Sequence, residues 1–338
     1  MKHINTYITE YIVKKKLDKF IDSEDRYDYC PKTKEELIDN IKELFDKGEN
    51  NLNCIDTSNI IDMSNLFTTI MNKTNNIDVS KWNVSNVTNM KLMFNGFEDF
   101  DCDLSSWDVS KVEDMNGMFF VCKKFKGKGL EYWDVSKVKD MNGIFYYCAN
   151  FNRDLSNWNV SNVEDMEYMF VGCENFDCDL SSWDVSKVEN MYSMFQGCKK
   201  FKGKGLENWN VSNVEYINAM FSYCYMLNVD FSKWNISKVT DLSKMFQHCN
   251  NFTGKGLDKW NVSKVKNMHS MFTDCSNFTG KGLDKWNVSK VEKMSLMFFQ
   301  CNKFNCDLSN WNVSKVKDMH SMFEGCTSLK NKPSWYKE

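Results

Sequence analysis

The sequence predicts an α/β repeat solenoid of about 10–11 coils, each 25–26 residues long and combining a short parallel strand with a short helical turn. Three observations carry that expectation. The first is a period: Trp82 recurs as Trp107, Trp133, Trp158, Trp183, Trp209, Trp234, Trp260, Trp286 and Trp311, each opening the phrase W-[ND]-[VI]-S-[NK]-V. A fixed internal period of this size marks stacked repeats rather than one globule. The second is a cysteine column, Cys122, Cys148, Cys173, Cys198, Cys224, Cys249, Cys275, Cys301 and Cys326, each three residues after the Phe-like position of its coil. The third is the spacing of apolar positions, at Trp82, Val84, Val87, Met90, Met93, Phe94, Phe97 and Phe100. Intervals of two suggest a strand around L-x-x-W-x-V, and intervals of three and four suggest helical turns through M-x-x-M-F-x-x-C.

Taken along the chain, residues 1–53 form an N-terminal helical segment and cap, residues 54–330 the solenoid, and residues 331–338 a C-terminal tail. Residues 3–21 carry Ile4, Tyr7, Ile8, Tyr11 and Ile12 on one stripe, with Lys14, Lys15 and Lys16 following. They read as an amphipathic segment that packs on the cap or touches a membrane surface. Thr33 and Glu36 form a capping-box signature for a helix bearing Leu37, Ile38, Ile41, Leu44 and Phe45 and ending near Gly48. "CIDTSNIIDMSNLF" from residue 54 is a worn coil with Ile55 in the Trp slot. In the coils that follow, the Asn or Asp before the first Met, as Asn89 and Asp114, reads as an N-cap. The Asn or Asp after each Trp, with the Ser two residues on, reads as a turn bonding its own backbone. Four spacers read F-x-G-K-G-L, as Phe125 to Leu130, and are one residue longer than the others. That extra residue predicts a glycine bulge. The segment lacks the strand, the full glycine pattern and the Ser or Thr of a phosphate loop.

Composition narrows the function. A formal charge of −3 gives no electrostatic reason for nucleic-acid binding. No apolar run reaches the roughly 18 residues of a membrane span, and the start lacks the pattern of an export signal, so a cytoplasmic protein is expected. The Cys column accepts Phe97 in one coil, which marks it as a buried small-residue slot with reduced thiols. Seven Trp-Asn-x-Ser phrases would place glycans on the ladder itself in a secretory pathway, which again favours an unexported chain. Isolated carboxylates in each coil do not gather into a calcium site, and no other cofactor or metal is expected. His269 and His320 share a column two coils apart, about 10 Å by strand spacing, and no nucleophile–base set appears. No enzymatic activity is expected.

The repeated phrase W-[ND]-V-S-[NK]-V-x-[ND]-M-x-x-M-F-x-x-C-x-x-F, with "PKTKEELIDNI" ahead of the first coil, resembles the 26-residue repeat of bacterial surface proteins, the BspA-like relatives of leucine-rich repeats. The resemblance covers about residues 54 to 330. It implies a right-handed, leucine-rich-repeat-like solenoid and a binding or adhesion role, often at a cell surface.

In a repeat protein function lies where the coils differ. Between residues 117 and 226 the variable positions gather Phe120, Tyr146, Tyr147, Tyr168, Tyr192, Tyr223 and Tyr225. Aromatics bury large area at low entropic cost and suit partner contacts. The expected function is a monomeric, non-catalytic scaffold presenting these residues to a protein or glycan. The alternative is a structural or assembly component tethered through residues 3–21.

Overall fold

The computed structural model describes residues 27–68, 70 and 76–337. The expected amphipathic segment at 3–21 lies outside the described residues. The described chain begins with a bridge in which Tyr29 pairs in parallel with Ile55. Helix α1, Lys34–Asp46, follows. Thr33 caps it by accepting a bond from the Glu36 N–H, while the Glu36 carboxylate accepts from the Lys32 N–H, one residue ahead of the usual capping box. Gly48, with φ at +80°, closes it. Leu37, Ile41 and Leu44 are buried and join the core of the first coil, and Lys34 ties the helix to Asp62 at 3.0 Å.

Beyond α1 the chain stacks coil on coil in parallel register. Asp62 bridges Asn89, Asn89 bridges Asp114, and the series continues through Asp140, Asp165 and Asn190 to Tyr216. It is interrupted between Tyr216 and Asp241 and resumes from Asp241 to Asp318. The ladder column is therefore the residue before the first Met, not the expected strand around Trp. Nor is the M-x-x-M-F-x-x-C segment helical. Met93 N–H bonds the Met90 carbonyl and Phe97 N–H bonds the Phe94 carbonyl. Leu92 at φ +53° and Gly96 at φ +77° stand at the third position of these two turns, the signature of type II β-turns. The first and fourth residues of each turn both point inward, so an apolar spacing of three arises without a helix. The intervening N–H groups of Met90, Leu92, Phe94 and Gly96 donate to the next coil at 2.7–2.9 Å. The Asn or Asp before Met does act as an acceptor, but in an Asx turn: Asn89 Oδ1 takes the N–H of Lys91.

The expected core columns are inside. Every Trp from Trp82 to Trp311 is at most 5% exposed, and each indole N–H donates to a carbonyl of the preceding coil, as Trp107 to Val79 and Trp158 to Leu130. Trp335 continues the ladder: it stacks on Trp311 at 6.3 Å and donates to Leu308. The stack thus runs beyond residue 330 into the tail. The thiols form a second ladder, with Cys122 donating to the Phe94 carbonyl and Cys148 to that of Phe119. Burial raises the pKa of each column thiol, to about 12 even at Cys326 near the end of the stack.

Neighbouring edges are also matched in charge. Glu98, Asp99 and Asp103 of one coil meet Lys123, Lys124 and Lys128 of the next at 2.8 Å, and Lys126 meets Asp101. Exposed pairs are individually weak, and their shared register penalises a slip of one residue. The Gly-Lys-Gly spacers form the expected bulges. Gly129, at φ +98°, presses on the previous coil, so that an added Cβ would stand 2.2 Å from the Ser105 nitrogen. The extra residue is taken up by a 3₁₀ turn, Leu130–Tyr132.

Two outcomes follow. Gly129→Ala should lower unfolding free energy by about 3 kcal/mol, because it combines a left-handed backbone with a backbone clash; denaturant melts measure it. Under native conditions an alkylating reagent should label Cys30, which is exposed, and leave the nine column thiols intact until the chain unfolds; intact-mass spectrometry counts the additions.

Candidate functional site

Seven aromatic positions were expected to make one surface, and the structure divides them into two groups. Phe120 stacks on Tyr146 at 4.2 Å. Tyr146 meets Tyr147 at 4.7 Å and Tyr168 at 5.9 Å, and Tyr168 meets Tyr192 at 5.1 Å. These five rings form one chain of contacts across four successive coils. Tyr223 and Tyr225 stand apart: they pair with each other at 6.4 Å, and Tyr223 stacks on His248 at 4.3 Å. The break falls after Tyr192: its coil carries Gln196 and Gly197 after Phe195, and the next coil carries Asn218 and Ala219 in the turn where Tyr168 and Tyr192 sit.

Exposure is also uneven. Tyr147 is 48% exposed and Tyr223 and Tyr225 lie near 36%, whereas Phe120, Tyr146, Tyr168 and Tyr192 are half-buried. Tyr147, Tyr168 and Tyr223 occupy the third turn position, with φ of +56°, +57° and +63°. That conformation costs an ordinary residue roughly 1–2 kcal/mol relative to glycine, and other coils place Gly143, Gly172 or Gly197 in these columns. The glycines in turn seat the rings. An added Cβ at Gly172 would stand 2.9 Å from the Tyr147 ring, and one at Gly143 would stand 3.5 Å from Phe120.

A polar margin borders the rings. Glu167 accepts bonds from the Asn142 and Asn190 amides at 3.3 and 2.9 Å, and the Asn116 amide reaches Asp140 at 3.2 Å. Asp165 has a raised pKa, first because of burial and then because Asp140 and Glu167 lie close. The Tyr168 hydroxyl is also raised, by burial first and then by Tyr192 and Glu167. At neutral pH this face offers phenol groups, amides and carboxylates beside a string of rings. Among the described residues no group of His, Cys, Asp and Glu is arranged to hold a metal.

Sequence reasoning missed Tyr216, which is 59% exposed. Its signal was available, because it replaces the Asn or Asp of the ladder column. The two column histidines are not isolated either. His269 Nδ1 lies 2.9 Å from Ser295 Oγ, Ser295 donates to Asp318 at 2.7 Å, and Asp318 meets His320 at 2.7 Å.

No helix among the described residues is long and apolar enough to cross a membrane. A comparison with curated proteins finds no match. Among solved structures, the crystal structure of a TLR13–ssRNA13 complex resembles the chain at 14% identity and a TM-score of 0.21, covering 88% of this chain. The chain spans about half of that one, 48% of its length. A family model matches residues 39–132, 121–228, 202–255 and 240–337. On that coverage the chain belongs to the family described as Mycoplasma protein of unknown function, DUF285.

Proposed function

We propose that the chain is a non-catalytic binding scaffold whose coils present the Phe120–Tyr192 face to a protein or glycan partner. One observation carries the reading: five rings touch in series across four coils, at positions the stack does not need to be aromatic. Two of them hold a left-handed backbone that glycine adopts more cheaply, and strain of this kind gathers at functional positions. The order of the His269–Ser295–Asp318–His320 series fits a non-catalytic protein. Ser295 gives its proton to the Asp318 carboxylate and sits between His269 and that acid, whereas a nucleophilic serine gives its proton to a base that the acid orients. Kinship with BspA-like repeats, on the strength of the repeated phrase, favours a right-handed leucine-rich-repeat-like coil and a partner met at a surface.

The test exchanges rings for the residues that other coils place in the same columns: Tyr147→Gly, Tyr168→Gly and Tyr192→Ser. The triple variant should stay folded with its Trp emission unchanged. Each lost anchor should weaken capture of partners from the native source by about 1–2 kcal/mol. Alanine at Lys111, Lys137 and Lys187, which are exposed, should leave capture unchanged. A triple Tyr variant that captures the same partners as the parent would end this reading.

A further inference from the structure

The charge of the chain is unevenly placed. Residues 1–232 carry 26 Lys and Arg against 37 Asp and Glu, whereas residues 233–338 carry 17 Lys against 9 acidic residues. Seven of these 17 lysines flank the Trp phrase that follows each spacer. Lys233, Lys259 and Lys285 each precede a Trp and lie in one column, all exposed. A second exposed column, Lys238, Lys264, Lys290 and Lys315, follows the Ser of the repeated phrase. Among the described residues, no ion pair is formed by Lys264, Lys285, Lys290 or Lys315, while Lys259 meets its own neighbour Asp258 at 3.2 Å.

Between these two lysine columns runs a third, Asn235, Asn261, Asn287 and Asn312, also exposed. Each of these side chains turns its Oδ1 inward to accept the backbone N–H of the Ser two residues on, at 3.1–3.2 Å. The Nδ2 groups are left as the outward donors. In earlier coils the same column is mixed: Asp108, Asp134 and Asp184 make the same turn with an exposed carboxylate, and Asn83, Asn159 and Asn210 make it with an amide. From Asn210 to Asn312 the column holds asparagine without interruption by aspartate. The last four coils therefore present amides along the middle and ammonium groups on both sides, except that Asn310 precedes Trp311 and that Asp258 and Asp284 stand beside the first lysine column; the pattern repeats about every 4.8 Å.

We propose that this track binds a linear acidic polysaccharide lying along the axis of the stack. Its carboxylate or sulfate groups pair with the lysine columns, and its hydroxyl oxygens accept from the asparagine column. The site rests on the reading of the stack as a binding scaffold but uses a different side and different coils from the Phe120–Tyr192 face. A single-stranded nucleic acid is disfavoured because this side lacks the aromatic rings on which bases stack. No exposed large apolar side chain from the last four coils is available to enter a lipid surface.

The experiment titrates the full chain with fluorescent heparin and with hyaluronate, using dextran, a single-stranded oligonucleotide and vesicles containing phosphatidylserine as comparators. Heparin or hyaluronate should bind at low ionic strength and be released near 1 M salt, where the screening length is about 3 Å; dextran should not bind. Asn261→Asp with Asn287→Asp keeps the turn that Asp108 and Asp134 already make, and should weaken binding at least about tenfold. Lys259→Gln, Lys264→Gln, Lys285→Gln and Lys290→Gln together should do the same. The matched change at Lys81, Lys111, Lys137 and Lys187 should have little effect, as should the Tyr147, Tyr168 and Tyr192 variant. The proposal is overturned if no acidic polysaccharide binds. It is equally overturned if the two lysine sets weaken binding equally, or if vesicles or the oligonucleotide bind more tightly and respond to the same substitutions.

Discussion

The structure depends on one constraint: a single coil cannot satisfy its own backbone or cover its own rings. In the turned segment the N–H groups of Met90, Leu92, Phe94 and Gly96 all donate to the following coil. The indole of Trp107 and the thiol of Cys122 donate to the preceding one. Phe94 and Phe119 stack at 5.6 Å, and Phe119 and Phe145 at 5.8 Å. Buried polar groups without partners are costly, so each coil requires a neighbour on either side. At the beginning α1 supplies buried apolar residues to the first coil, and at the end Trp335 occupies the next indole slot.

The same constraint allots the functional positions. Inward columns are fixed by packing and ladder columns by hydrogen bonding, which leaves the second and third positions of each turn, the coil edges and the donors after Trp free to vary. Variation at the turns produced the run of rings from Phe120 to Tyr192, with Gly143 and Gly172 opened beneath them. Variation after Trp mixes aspartate and asparagine in the earlier coils, as Asp108 and Asn159, and keeps asparagine throughout the last four without altering the turn. Two chemically different sides are thus written on one unchanging frame.

Much of this was legible in the sequence. The Trp and Cys columns, the cap around Thr33 and the bulges at Gly-Lys-Gly follow from period, burial pattern and glycine placement. The turns were misread as helix because Met90 and Met93 are three apart, and a β-turn whose ends both point inward gives the same interval as a helical face. A discriminating signal was present. Glycine recurs two residues after the first Met, at Gly117 and Gly143, and two residues after the Phe, at Gly96, Gly172, Gly197 and Gly325, where a helix would not favour it. The split of the aromatic group was not legible, because it depends on how far each ring reaches across a coil. Likewise, the contacts linking His269 to His320 depend on Ser295 and Asp318 meeting between coils.

The most direct test of coil-by-coil stacking is to remove one coil whole. The stretch "FTGKGLDK" precedes both Trp260 and Trp286, so deleting residues 260–285 leaves the junction sequence unchanged. Urea unfolding followed by Trp emission should show a folded protein with buried indoles and a lower midpoint, since stability in a stack is approximately a sum over coils and their interfaces. A deletion protein whose indoles are already exposed in the absence of urea would show that the coils are not interchangeable units, and would contradict the account.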